Sequence, residues 1–387
     1  MGSHNQPPNL NIPPSSNTCD LFLIDTTCDI LSSSSSLIEP EIKGHEFLNL
    51  PTYSFYLHNP RSNKRILFDM GCRKDWWNLP PAVSSAIAEK GIPGLRVTSD
   101  IDEILTAGGI DPASIDAVVW SHFHYDHTGN ASRFPPSTDV VVGPGFKSAF
   151  LPGYPENPKS PFFSADFEGR QLNEISFNDS SPRIGQFQSL DYFADGSFYL
   201  LNTPGHTPGH ISALVRVTPD TFVFLGGDIS HFPGMYRPSE HIPMPEWVPP
   251  ETKLDSRLPC PCPCALFMAC HPGGAATEEE AQSSAAKPFY RPSSHANSWY
   301  EDPVEAQRSV HGLMEFDADE NVFVAIAHDP ALREVKPCFP EGTLNGWKTA
   351  EWKKRSHWYF LNELPVEGKV GREKLVDGRW KDGERVA

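Results

Sequence analysis

The run Ser121-His122-Phe123-His124-Tyr125-Asp126-His127-Thr128-Gly129-Asn130 decides how this chain is read. Three imidazoles and a carboxylate fall within residues 122–127, directly after the apolar segment Ile115-Asp116-Ala117-Val118-Val119-Trp120. That segment has the character of a buried strand, so the polar cluster sits in the loop at a strand end, where functional groups gather. Imidazole and carboxylate are ligands that zinc, manganese and iron take in hydrolytic sites. Burying so many of them without a cation leaves polar groups short of partners, which is unfavourable. The alternative is a solvated histidine-rich loop, and the order of the later motifs argues against it.

Three such motifs follow. Thr203-Pro204-Gly205-His206-Thr207-Pro208-Gly209-His210 is a doubled Pro-Gly-His. Leu225-Gly226-Gly227-Asp228 ends the β-like run from Thr221 to Leu225, and Ile326-Ala327-His328-Asp329 ends Val322-Phe323-Val324-Ala325. Each again sets a histidine or aspartate just past an apolar, strand-like run.

His-x-His-x-Asp-His with these three companions, in this order, resembles the signature of the metallo-β-lactamase fold superfamily of hydrolases. The resemblance implies an α/β fold, a four-layered αββα sandwich with long loop insertions over residues 19–387. It implies that His122, His124 and His206 hold a first metal, and that Asp126, His127 and His328 hold a second. Asp228 would bridge the two, and His210 would support the loop without binding metal. Asp69 resembles the family's aspartate that fixes the tautomer of a ligand histidine; an Asx-turn before Gly71 is the competing reading.

A water held between two divalent cations loses its proton near neutral pH and attacks a carbonyl polarised by one of them. Asp126, Asp228 and His231 are accordingly the candidate catalytic residues. The cofactors expected are two divalent ions, zinc foremost, with manganese or iron suiting the same ligands. No serine or cysteine nucleophile is needed, and the sequence has no Gly-x-Ser-x-Gly elbow to supply one.

Within the superfamily, Ser-His-x-His-x-Asp-His-x-Gly-Asn and the doubled Pro-Gly-His are similar to the quorum-quenching lactonase branch. Fungal relatives that open small lactams, such as benzoxazolinones, form a comparable branch. Lactonases of that branch often carry a tyrosine three residues after the bridging aspartate, where this chain has His231. A histidine titrates near neutrality and suits protonation of a departing nitrogen; the competing reading has His231 capping a turn or facing the segment that follows. The activity implied is opening of a small cyclic ester or amide.

Two other classes share the ligands. Thioesterases of the glyoxalase II kind usually end in a helical domain with basic residues for glutathione. The stretch from Trp347 to Trp358 carries Lys348, Lys353, Lys354 and Arg355 but is short for that task. A non-hydrolytic member would be an iron-binding protein or a metal-free scaffold. Di-iron oxygen reducers typically place glutamate where His124 stands, and a scaffold would be expected to lose ligands, of which none is missing.

The 387 residues suffice for one large domain with insertions, and the formal net charge of −17 disfavours a nucleic-acid partner. No apolar stretch has the length of a membrane span, and no apolar signal core opens the chain. Eight cysteines spread over this length do not make a disulfide scaffold, so a cytoplasmic location is expected, while a small-molecule substrate is what the resemblance implies. Oligomeric state is not readable from the sequence.

Along the chain, residues 1–18 read as a loose Pro-, Asn- and Ser-rich tail, Met1 to His4 being a cloning remnant. Residues 32–36, five consecutive serines, read as a flexible surface loop. Residues 72–99 form a first excursion, in which Trp76 and Trp77 either line a pocket or pack ordinarily. Residues 231–303 form a second, with thirteen prolines and no periodicity. Rooted at Asp228 and carrying Phe232, Met235 and Tyr236, it reads as a lid or pocket wall with those three as substrate contacts. The alternative is an insertion packed away from the site. Cys260, Cys262, Cys264, Cys270 and His271 are spaced poorly for a structural zinc, because single prolines separate the first three cysteines.

Overall fold

The computed structural model describes residues 9–274, 276–335 and 337–386. Two sheets are stacked face to face. One runs in the order Gly94–Val97, Asp20–Ser33, Phe47–Asn59, Lys64–Phe68, Ala117–Val119, Asp139–Val142, Leu172–Glu174. The other runs Val322–Ala325, Thr221–Leu225, Ile211–Thr218, Phe198–Asn202, Phe187–Asp191, Arg183–Ile184.

Strand alternation divides the apolar residues between layers. Leu21, Leu23, Phe55 and Val119 of the first sheet meet Leu200, Ala213, Val223 and Phe323 of the second in the central core. The opposite side chains of the first sheet, Ile24, Leu67, Val118 and Val140, pack under Ile101 and Leu105 of the helix Ile101–Ala107. Those of the second sheet, Leu201, Leu214 and Phe224, pack under Val310, Leu313 and Phe316 of the helix Pro303–Ala318. Because both faces of each sheet are covered, the strands read as near-continuous apolar runs. The result is the expected αββα sandwich.

The topology sets every motif at one edge of that sandwich. Lys64–Phe68 pairs in parallel with Ala117–Val119, and Thr221–Leu225 with Val322–Ala325. Residues that follow these strands therefore emerge on the same side: Asp69, His122, Asp228 and His328. Backbone bonds tie the two halves across this edge, from Ile211 N to Ser121 O at 2.8 Å and from Tyr53 N to Ala327 O at 3.1 Å. Gly205, beside His206, has φ +120°, and a Cβ there would lie 2.0 Å from Ala306 N, so the start of the helix Pro303–Ala318 docks on it. Asp302 caps that helix by accepting from Val304 N and Glu305 N.

Several loop readings are corrected. The serine run is not a mobile loop: Ser32, Ser34 and Ser36 are buried, Ser36 Oγ donates to Ser33 O, and Ser32 and Ser36 share a hydroxyl contact at 3.2 Å. Hydroxyls satisfied by one another and by backbone can be buried as readily as small apolar groups. Within the reputed tail, residues 1–8 lie outside the described residues, while Leu10 is buried and Ser15 Oγ and Asn17 Nδ2 both donate to Asp195 O. Residues 231–303 are irregular but built in, with short helices Ala265–Met268 and Glu278–Ser284 and a strand pair between Arg291–Pro292 and Ile38–Glu39. Among the described residues, no helix is long and apolar enough to cross a membrane.

Candidate metal centre

Seven side chains converge at the common edge, all buried: His122, His124, His206 and Asp228 in one group, and Asp126, His127 and His328 in another. The two oxygens of Asp228 divide between them. Oδ2 lies 3.5 Å from His122 Nε2 and 3.5 Å from His206 Nε2, and His206 Nε2 is 3.0 Å from His124 Nδ1. Oδ1 lies 3.2 Å from His127 Nε2 and 3.3 Å from His328 Nε2, while Asp126 Oδ2 is 3.4 Å from His328 Nε2 and 3.8 Å from His127 Nε2. Donors bound tetrahedrally at zinc distances stand about 3.3 Å apart, so these separations match the edges of such a polyhedron. His122 Nε2, His127 Nε2 and Asp228 Oδ1 are buried without any hydrogen-bond partner, a state that a bound cation relieves. The residues present thus fit divalent metal ions.

The rings are aimed by a surrounding frame. Asp69 Oδ1 accepts from Ser121 N at 2.7 Å, and its Oδ2 accepts from Ser121 Oγ at 2.8 Å. The same Oδ2 stands 2.8 Å from His127 Nδ1, which turns His127 Nε2 toward Asp228. Asp69 therefore orients a ring, as the resemblance implied, and does not serve only as a turn residue. Ser121 Oγ lies 3.0 Å from His122 Nδ1, and Pro51 O lies 3.2 Å from His328 Nδ1. His210 stays outside the cluster: its Nδ1 meets Thr203 O at 2.8 Å, and its Nε2 accepts from Asp228 N at 3.0 Å. It holds the backbone of Asp228 in place.

The electrostatics match ligation. Burial, reinforced by neighbouring imidazoles, holds His122, His124 and His206 well below the usual histidine range, so these rings are neutral donors. Burial works against the charge on Asp228, but the rings of His127, His231 and His328 outweigh it and keep the carboxyl well below its ordinary value. Burial raises Asp126. It also opposes a charge on His127, yet Asp228, Asp69 and Asp126 together push that ring well above the ordinary imidazole range. A cation bound among these groups would neutralise the same carboxylates that draw protons onto His127.

His231 lies at the cluster, with Nε2 3.0 Å from Asp228 Oδ2 and Nδ1 2.8 Å from the hydroxyl of Tyr300. Its ring stacks on His328 at 5.9 Å and meets His206 edge-on at 4.8 Å. The substrate contacts named from sequence are elsewhere. Phe232, Met235 and Tyr236 are buried in the core, with Phe232 against His45, Tyr290 and Phe360. Trp76 is buried with Nε1 donating to Trp380 O, and Trp77 lies under Lys381, so both face the C-terminal strand Trp380–Lys381. The reason is physical: large apolar side chains gain most by leaving water, so they pack into the core wherever the chain lets them reach it.

The far end of residues 231–303 reaches the cluster instead. Trp299 meets His124 edge-on at 5.0 Å, and Tyr300 meets His206 at 4.9 Å. Ile30, Leu37, Leu50, Ile92 and Trp299 line a narrow chamber together with His124, Tyr125, Asp126, Asp228, His231 and His328. Trp299 and Tyr300 were invisible in the sequence because an aromatic pair at the end of a proline-rich stretch carries no periodic signal. Lys353, one of the basic residues in the C-terminal stretch, donates to Asp319 O and Val322 O and is lowered to about 8 by burial. It anchors a turn. The cysteines Cys260, Cys262, Cys264 and Cys270 are free, and among the described residues they belong to no metal-holding group.

Histidine and aspartate side chains gathered at the strand ends of such a sandwich suit a metal-dependent hydrolase, and the relatives of the chain agree. Residues 49–249 match the family model described as the metallo-beta-lactamase superfamily. This chain belongs to that superfamily. It is 38% identical over 391 residues to Gamma-lactamase FDB1 of Fusarium pseudograminearum, covering 98% of this chain and 91% of the relative. It is 39% identical to the metallo-hydrolase mfmC of Annulohypoxylon moriforme, covering 92% of this chain and 90% of that one. Among solved structures, an N-acyl homoserine lactone hydrolase with N-hexanoyl-L-homoserine at its catalytic metal centre shares the fold. Its TM-score is 0.51 at 19% identity, over 84% of this chain and 99% of that one.

Proposed function

We propose that this protein opens small cyclic amides and esters, lactams foremost, using two divalent cations, with zinc best suited to the donors. The observation that carries the reading is Asp228, whose two carboxylate oxygens face two separate donor groups. The name of the 38% identical relative, a gamma-lactamase, supports an amide substrate, of which a benzoxazolinone-like lactam is one form. His122, His124 and His206 would hold one ion, Asp126, His127 and His328 the other, and Asp228 both.

Bound there, such ions supply Lewis acidity toward a carbonyl and hydroxide at neutral pH. The chain's own groups do the rest. Ile30, Leu37, Leu50 and Ile92 give the approach to the cluster apolar walls, which would strengthen charge interactions beside them. His231 is the candidate donor to the departing atom, its ring direction set by the Tyr300 hydroxyl. A departing amide nitrogen needs that proton more than a departing ester oxygen does. His231→Ala is expected to lower kcat on a lactam by about a hundredfold and on the matched lactone by less than about tenfold. Equal losses on the two would leave His231 a binding role only.

Asp69 acts on the cluster through His127. Asp69→Ala is expected to weaken metal affinity by roughly 10–100-fold, read by competition with a chelator, because the His127 ring loses its tether. The reading as a whole is tested by offering the metal-loaded protein lactams, lactones and a glutathione thioester. Turnover of the cyclic amides and esters is expected. Preference for the thioester would transfer the protein to the glyoxalase II class, and inactivity on all three in an iron-loaded protein would favour the non-hydrolytic one.

A further inference from the structure

The chamber above the cluster is too small for the substrate assigned to it. Its free volume is about 20 Å³, room for about one water molecule. A wall must move before a ring can enter. Ile30 and Leu50 cannot yield readily, because they are cross-strand partners in the first sheet. Trp299 belongs to no helix or strand, and it is also the wall of a second cavity of about 240 Å³. That cavity lies over Val83 and Ala86 of the helix Pro81–Glu89 and over Phe123 and Phe150, and it reaches His124 and Tyr125 from the other side.

The Trp299 backbone is fixed by its N–H donating to Ser36 O at 3.0 Å and its ring meets His124 and Tyr125, while the hydrogen bond of the indole goes to Lys90. Trp299 Nε1 donates to Lys90 O at 3.2 Å, Lys90 Nζ donates to Ser298 O at 3.0 Å, and the ammonium lies 4.9 Å over the indole ring. Lys90 is the half-buried residue that ends its helix, so water can replace each of these contacts when the indole swings out.

We propose that Trp299 is a gate and that the cavity over Val83, Ala86, Phe123 and Phe150 is the subsite for an apolar substituent on the ring substrate. Displacing the indole joins the two spaces, which sets the ring at the cluster and the substituent between helix and phenylalanines. This rests on the reading of the protein as a hydrolase of cyclic amides and esters. The walls select an alkyl or fused-ring substituent, with Lys159 at the rim.

Ring-opened hydroxy acids test the subsite without turnover: 4-hydroxydecanoate carries a hexyl tail that 4-hydroxybutyrate lacks. By calorimetry on the metal-loaded protein, the long acid is expected to bind at least about 30-fold tighter, as burial of several methylenes requires. Ala86→Trp should reduce that ratio at least tenfold, and Ala86→Leu, the milder filler should the first variant misfold, about threefold. Trp299→Ala should speed association of the long acid about tenfold in stopped flow. A ratio untouched by filling the cavity, or an association rate indifferent to Trp299, overturns the proposal. Should the tail preference appear while no lactam or lactone is opened, the proposed reaction fails and the subsite stands. Should γ-butyrolactone be opened with no tail preference, the subsite fails and the reaction stands.

Discussion

Asp228→Ala is expected to lower kcat/KM by at least about a thousandfold and to reduce the metal content from two ions per chain toward one. The size follows from the proposed role of the carboxylate: its two oxygens face the two donor groups, so it would be a ligand common to both ions and, with Asp126, would offset their charge. Losing the charge stabilisation that a metal pair supplies forfeits several kcal/mol in the transition state, and each 1.36 kcal/mol is a factor of ten. His122→Ala would remove a donor from one group only, so its metal loss should be confined to that group. Comparing the two variants separates a shared ligand from a private one. Metal content unchanged in Asp228→Ala, with activity lost, would make the residue a catalytic base and not a bridge.

Arg237→Ala should produce the largest loss of stability, about 3–5 kcal/mol, because it strips the buried Asp317 carboxylate of its two-pronged guanidinium partner. Arg237 Nε and Nη2 donate to the two oxygens of Asp317 at 3.0 and 2.6 Å, and both side chains are almost fully buried. Burial disfavours the charge on Asp317, but Arg237 and His357 outweigh it and hold the carboxyl well below its usual range. The pair fastens the start of residues 231–303 to the helix Pro303–Ala318, six residues past His231. Arg237→Met with Asp317→Leu should recover most of the loss, since a buried ion pair replaced by well-packed apolar groups is often neutral. Urea unfolding of the three proteins measures this. A loss below about 1 kcal/mol in Arg237→Ala would show the pair to be solvated.

Much of the fold was legible in the sequence, where burial on both faces leaves unbroken apolar runs. The strand read from Thr221 to Leu225 has those bounds, and the run Val322 to Ala325 read as strand-like is the strand Val322–Ala325. The cluster was legible for a different reason: His122, His206, Asp228 and His328 each follow a strand within four residues, and His124, Asp126 and His127 follow His122 in one continuous motif. What was lost depends on contacts distant in the chain. Trp299 reaches the chamber through Lys90, 209 residues away, and no local pattern encodes that pairing. Phe232, Met235 and Tyr236 misled because their apolar character was read as a substrate surface when it supplied core. The serines 32–36 misled because composition cannot show that their hydroxyls are satisfied internally.

The central claim is that one carboxylate joins two cations into a single hydrolytic centre. Anomalous diffraction at the zinc edge from crystals of the metal-loaded protein tests it most directly. Two peaks are predicted, one among His122, His124 and His206 and the other among Asp126, His127 and His328, with an oxygen of Asp228 on each. A single peak at full occupancy, with His127 and His328 bonded only to Asp69, Asp126 and backbone, would contradict it.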